Sequence, residues 1–111
     1  MDIDPSAPPS GTGCAECLAE GGWWFHLRRC AACGHIGCCD SSPSRHATAH
    51  FRATGHAVVR SFEPGEDWFW NYALEDEVFG PPLAPPESHP PTQPTPGPAG
   101  AVPRDWMNRL N

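Results

Sequence analysis

Two close cysteine pairs, Cys14-Ala-Glu-Cys17 and Cys30-Ala-Ala-Cys33, stand twelve residues apart in a chain of 111 residues. Each pair can bring two thiolates to one point, as zinc knuckles do, and core filling gives no reason for such spacing. Size explains why a device of this kind is needed. Ten of the fifteen prolines fall between Pro81 and Pro103, and three more lie in the first nine residues. What can fold is therefore roughly residues 12–80, too short to be held by apolar packing without metal, disulfides or a partner. Residues 1–13 carry acids and proline where a secretory leader would carry a basic end and an apolar run. A cytoplasmic setting is expected, where thiols stay reduced and close cysteine pairs serve as metal ligands more often than as disulfides.

Two complete tetrahedral sites require eight ligands. Cys38 follows the second pair closely, and His46 and His50, four apart on a helix candidate, lie on one helical face. His56 supplies one more, so Cys14, Cys17, Cys30, Cys33, Cys38, His46, His50 and His56 complete the count. Cys39 is left over, because adjacent side chains rarely reach the same ion. His26 is expected to be packed or at the surface, His35 to be a hydrogen-bond donor beside Cys33, and His89 to be no ligand. Sulfur-rich sites with four protein ligands leave no open position for water or substrate, so the ions are expected to be structural. The His46 and His50 spacing has Ala47 where a metalloprotease helix needs its glutamate, and the deaminase pattern of His-x-Glu before Pro-Cys-x-x-Cys is missing. No enzyme is expected.

Three segments favour strands: Trp23 to Leu27, Ala57 to Phe62 and Asp67 to Leu74. Between the first two, Ser42-Pro43 offers an N-cap and a first-turn proline, and Ser44 to Thr54 then runs without a breaker to Gly55. Residues 1–12 and 81–111 should be extended, solvated, flexible tails, since they lack apolar mass to offset ordering entropy. Removal of everything after Gly80 should leave the domain at 13–80 folded, unless Trp106 docks on it. All seven basic residues are arginine, against thirteen acids, and the net charge of -6 argues against a nucleic-acid partner. No stretch approaches the ~18 apolar residues of a membrane span.

The run Cys14-Ala-Glu-Cys17, Trp24, Cys30-Ala-Ala-Cys33-Gly34-His35, Gly37-Cys38-Cys39-Asp40, Arg45-His46-Ala47-Thr48-Ala49-His50 and Thr54-Gly55-His56 resembles the ubiquitin-specific-protease-type (UBP) zinc finger. The resemblance covers roughly residues 13–80. It implies a small α+β zinc-binding domain, a short antiparallel sheet with one helix packed on it. It also implies two structural Zn2+ ions, one held by Cys14, Cys17, Cys38 and His46, the other by Cys30, Cys33, His50 and His56.

The family's best-known activity is recognition of a free C-terminal Gly-Gly tail, that of ubiquitin, in a pocket of aromatic side chains and an arginine. By resemblance, Trp24, Trp70 and Tyr72 match aromatic positions near that pocket, and Glu75 an acidic residue that accepts from peptide nitrogen. Where ubiquitin-binding members read Cys-Gly-Arg, this chain reads Cys38-Cys39-Asp40, which places a carboxylate near the ligand's own. Along a strand Trp68 and Trp70 share a face with Phe69 opposite, and Trp68 and Phe69 are expected in the core. A monomeric module for a peptide or protein C-terminus is the expected function. The alternative is a redox- or zinc-responsive regulator using Cys39 beside the zinc sites.

Overall fold

A computed structural model describes residues 3–109. Met1, Asp2, Leu110 and Asn111, the extremities of the two expected tails, lie outside the described residues. The elements are α1 (Ala15–Glu20), β1 (Leu27–Cys30), β2 (Ile36–Cys38), α2 (His46–Thr54), β3 (Val58–Ser61), β4 (Phe69–Asn71) and β5 (Asp76–Val78), followed by a 3-10 turn at Trp106–Arg109. The strands form one antiparallel sheet in the order β2-β1-β3-β4-β5, with α2 packed on β1 and β2. This is the small α+β class expected, with a second, six-residue helix, α1, that the first cysteine pair builds around itself.

The boundaries differ from the sequence reading for local reasons. Trp24 does not enter the sheet; it makes an isolated bridge to Gly97, so β1 starts at Leu27. β2 and β5 are three residues each, too short to show alternation. Ser42 does not cap α2. Its Oγ accepts from the Phe25 N–H at 3.0 Å, and α2 begins at His46 after Arg45, whose φ of 48° is left-handed. The capping acceptor is sulfur: the His46 N–H donates to Cys38 Sγ at 3.2 Å, setting a potential thiolate at the positive end of the helix. Gly55, with φ 78°, ends α2 where the sequence indicated. Gly37 admits the helix to the sheet, because a Cβ there would stand 2.6 Å from the Ala47 nitrogen.

Cross-strand partners project to the same face. One row reads Arg29, Arg60, Phe69 and Val78, and the next, on the opposite face, reads Cys30, Val59, Trp70 and Glu77. The second face carries the surface cleft described below. The first is covered by the two flanking segments, with Ile3 and Leu83 packed among Ala31, Val58 and Phe69.

Residues 3–12 and 81–109 are therefore laid against the domain, in place of the solvated tails expected. Arg29 is fully buried, and its guanidinium donates to the carbonyl oxygens of Ala7, Ala84 (2.7 Å) and Pro86 (3.5 Å). Arg60 donates to the Glu87 carbonyl. His89 is buried against the Glu63 carboxylate, and Trp24 exchanges two backbone hydrogen bonds with Gly97. The Trp106 ring lies 6.0 Å from that of Phe25. The physical reason is that two guanidiniums on an apolar sheet face need acceptors, and an extended proline-rich chain offers carbonyls unused by any helix or ladder.

Candidate metal centres and the adjoining cleft

The structure brings the cysteines and histidines into two groups. Cys14, Cys17, Cys38 and His46 form site 1; Cys30, Cys33, His50 and His56 form site 2. In each group the four ligand atoms lie within 4.8 Å of one another. In site 1, His46 Nδ1 stands 3.2, 3.3 and 3.5 Å from the sulfurs of Cys14, Cys17 and Cys38, and Cys17 and Cys38 are 3.9 Å apart. In site 2, Cys33 Sγ is 3.3 Å from His50 Nε2 and Cys30 Sγ is 3.6 Å from His56 Nδ1. The edges of a tetrahedron around zinc measure about 3.8 Å between sulfurs and about 3.6 Å between sulfur and nitrogen. Donor set and spacing both fit Zn2+.

The ligands interleave along the chain. Cys14 caps α1 and Cys17 lies within it; Cys38 ends β2; His46 opens α2. Cys30 ends β1, Cys33 follows in the turn to β2, His50 lies one turn beyond His46, and His56 comes just after Gly55. Each site therefore ties the β1–β2 hairpin to α2. The far nitrogen of His46, Nε2, faces Glu20 at 3.4 Å, and His35 Nε2 donates to Glu16, with both carboxylate oxygens at 2.8 Å. The Glu20 carboxylate favours the His46 tautomer that leaves Nδ1 free for metal.

Three sulfurs packed together oppose one another's ionisation. Hydrogen bonds from Cys14 and Cys17, and the His46 N–H, bring the Cys38 thiol down to about 2, against the opposing effect of burial. Cys17 is pushed far above the ordinary thiol range by its hydrogen bonds to Cys14 and Cys38 and by burial. Burial pushes Cys30 up to about 11. His50 is held below the ordinary histidine value by burial, then by His35 and His56. A dication at each point supplies the charge that lets the remaining thiols ionise.

The cleft, of about 260 Å³, opens beside α2 on the Trp70 face. Trp68, Trp70 and Tyr72 line it, together with Arg28 and the carboxylates of Asp40 and Glu77. The Arg28 guanidinium lies 4.6 Å over the Trp68 ring, and Thr48 Oγ1 on α2 donates to Asp40. Tyr72 stacks on Phe51 of α2, ring centroids 5.3 Å apart. Of the residues matched to the family's pocket by resemblance, Trp70 and Tyr72 line this cleft. Trp24 is fully buried, between site 1 and Gly97, and cannot line a surface pocket. Glu75 sits at φ 53° in the β4–β5 turn, outside the lining, which Glu77 joins. Trp68, expected in the core, is a cleft wall, because it shares the face of Trp70 while Phe69 points to the opposite, covered face.

The sequence reading missed Arg28, whose signal was its place one residue from the inward-facing Arg29 in an alternating strand. Cys39 belongs to neither site; it is buried at the cleft, with Sγ 3.4 Å from Ser42 Oγ. No helix among the described residues is long and apolar enough to cross a membrane.

The sequence pattern of a family described as a zinc finger in ubiquitin hydrolases and other protein matches residues 14–83. The solution NMR structure of protein RPA1320 from Rhodopseudomonas palustris is similar over 82% of this chain and 85% of that one, at 44% identity and a TM-score of 0.63. No curated protein matches the chain.

Proposed function

The chain belongs to the zinc-finger family found in ubiquitin hydrolases and other proteins, and from that premise we propose that it is a non-catalytic module whose cleft receives the free C-terminus of a peptide or protein. Two zinc ions hold the hairpin and α2 in register, and their four-ligand shells leave no position for a reacting group. The observation that carries the reading is the Arg28 guanidinium, held over Trp68 in a cleft walled by Trp70 and Tyr72. It has no carboxylate partner within salt-bridge distance among the described residues. Arg28 thereby offers a ligand carboxylate the cation that Asp40 cannot, and Thr48 holds Asp40 by a hydrogen bond. The aromatic walls suit a narrow, extended terminal segment, and Glu77 can accept from its peptide nitrogens.

Zinc content is tested by native mass spectrometry of the protein before and after chelation. Two ions per chain are expected, and one or none would overturn the paired sites. Ligand class is tested by titrating peptides with free and amidated C-termini, one series ending in Gly-Gly, against tryptophan fluorescence and amide shifts. Free termini should bind at least about tenfold tighter, as a half-buried cation without a carboxylate partner requires, and Arg28→Ala should abolish the difference. Equal binding of both forms would remove the C-terminus from the reading.

A further inference from the structure

We propose that Glu16 and His35 couple the two metal sites, so that an ion in one raises the affinity of the other. The proposal rests on the reading of both clusters as zinc sites. Glu16 lies between Cys14 and Cys17, on the helix that presents both thiols to site 1. Its two oxygens face His35 Nε2 at 2.8 Å. The His35 ring in turn stacks on the ring of His50, a site 2 group, at 4.0 Å and 7° between planes. An unbroken chain of contacts thus runs from the first site's helix to an imidazole of the second.

The element that gives this chain two states is α1. Six residues are too few to hold a helix in water by themselves. Its closures are Cys14 Sγ, which accepts from the Cys17 N–H at 3.4 Å, and Gly21 in the left-handed region. Both thiols of α1 are committed to site 1, so an ion there sets the helix. A formed α1 presents Glu16 to His35, the fixed His35 ring covers one face of His50, and His50 then loses less freedom when it takes metal. Coupling of this kind is reciprocal. An ion on His50 must likewise favour α1 and the Cys14–Cys17 pair.

Helix α2, which carries both His46 and His50, is a second path between the sites and stays intact when Glu16 or His35 is changed. Substitutions in the pair therefore report only the share that passes through it. Metal-free protein is titrated with zinc, and the zero-, one- and two-ion forms are counted by native mass spectrometry for wild type, Glu16→Ala, His35→Ala and the double variant. Independent equal sites put about half the molecules in the one-ion form at one equivalent of zinc, whereas coupled sites deplete it.

Sites of unequal strength raise that share and coupling lowers it, so the wild-type share serves as the reference for the variants. In each single variant the ratio of second to first binding constant should fall about fivefold or more, the lower end of ordinary coupling. The double variant should fall no further than either single one. A ratio unchanged from wild type overturns the coupling, as does a loss of site 1 affinity on Glu16→Ala that persists when Cys33→Ser has emptied site 2, which is what a merely local role would produce. If Glu16→Ala fails to load zinc, Glu16→Gln keeps the helix-forming side chain and decides by the same ratio. Wild type that binds fewer than two ions would instead defeat the zinc reading itself.

Discussion

Sites 1 and 2 have the same number of ligands and different surroundings. Cys14, Cys17 and Cys38 are fully buried and share a cluster with Trp24, Leu27, Ile36 and Phe62. Site 2 lies at the surface; its Cys33 is exposed and both its histidines are half-buried. The first group is a core built partly of sulfur, in which a metal would complete the packing. The second is a clamp at the edge, which fixes the hairpin turn and the end of α2. Burial, more than ligand identity, should decide what each ion is worth.

The largest expected effect separates the two directly. Cys14→Ser should abolish the native amide spectrum, since structural zinc carries on the order of 10 kcal/mol of folding free energy and here also supports the apolar cluster. Cys33→Ser should lose one ion by native mass spectrometry and keep the sheet's dispersed spectrum. Equal collapse of both variants would erase the distinction.

Acid should widen it. The folded state holds His50 below the histidine value of 6.5. The unfolded chain therefore takes up that proton first, and stability falls as pH drops below about 6.5. Cys38 shifts the same way and its partners Cys14 and Cys17 the opposite way, so the thiols of site 1 add no net direction of their own. Site 2, with two histidines and an open flank, should release its ion first, as followed by the ring signals of His50 and His56. Earlier loss at His46 would invert the comparison.

Truncation after Gly80 should cost about 3 kcal/mol or more in urea unfolding, because it strips acceptors from the buried Arg29 and from Arg60. An unchanged midpoint would mean that solvent replaces those carbonyls. The smallest effect belongs to Glu20→Gln. It should weaken site 1 by about tenfold at most, since its 3.4 Å contact to His46 is long and its side chain largely exposed. A larger loss in a zinc competition assay would move Glu20 closer to the site's centre of gravity.

The residues of both sites could be read from the chain because cysteine pairs, and histidines one turn apart, are local patterns that ordinary core packing seldom produces. The sheet was legible at β3 and β4, which lie inside expected strands, displaced at β1, which shares only Leu27 with the expected one, and lost at the three-residue β2 and β5. The cap of α2 was misread because Ser42-Pro43 is a good local signal that tertiary structure overrides: Ser42 serves Phe25, and sulfur serves the helix. The flanks were misread on composition. Proline predicts a lack of regular structure, and it says nothing of where the carbonyls point. The warning lay in the strand itself, where Arg29 and Arg60 occupy inward positions with no acid opposite them.

Arg29 binds both of those flanks at once. One guanidinium holds the carbonyls of Ala7 and of Ala84 and Pro86, segments that come from opposite ends of the chain. The chain is in effect a ring fastened by a single side chain. A cleavage near residue 84 should be felt at residue 7, and a partner that pulled either flank away would loosen the other.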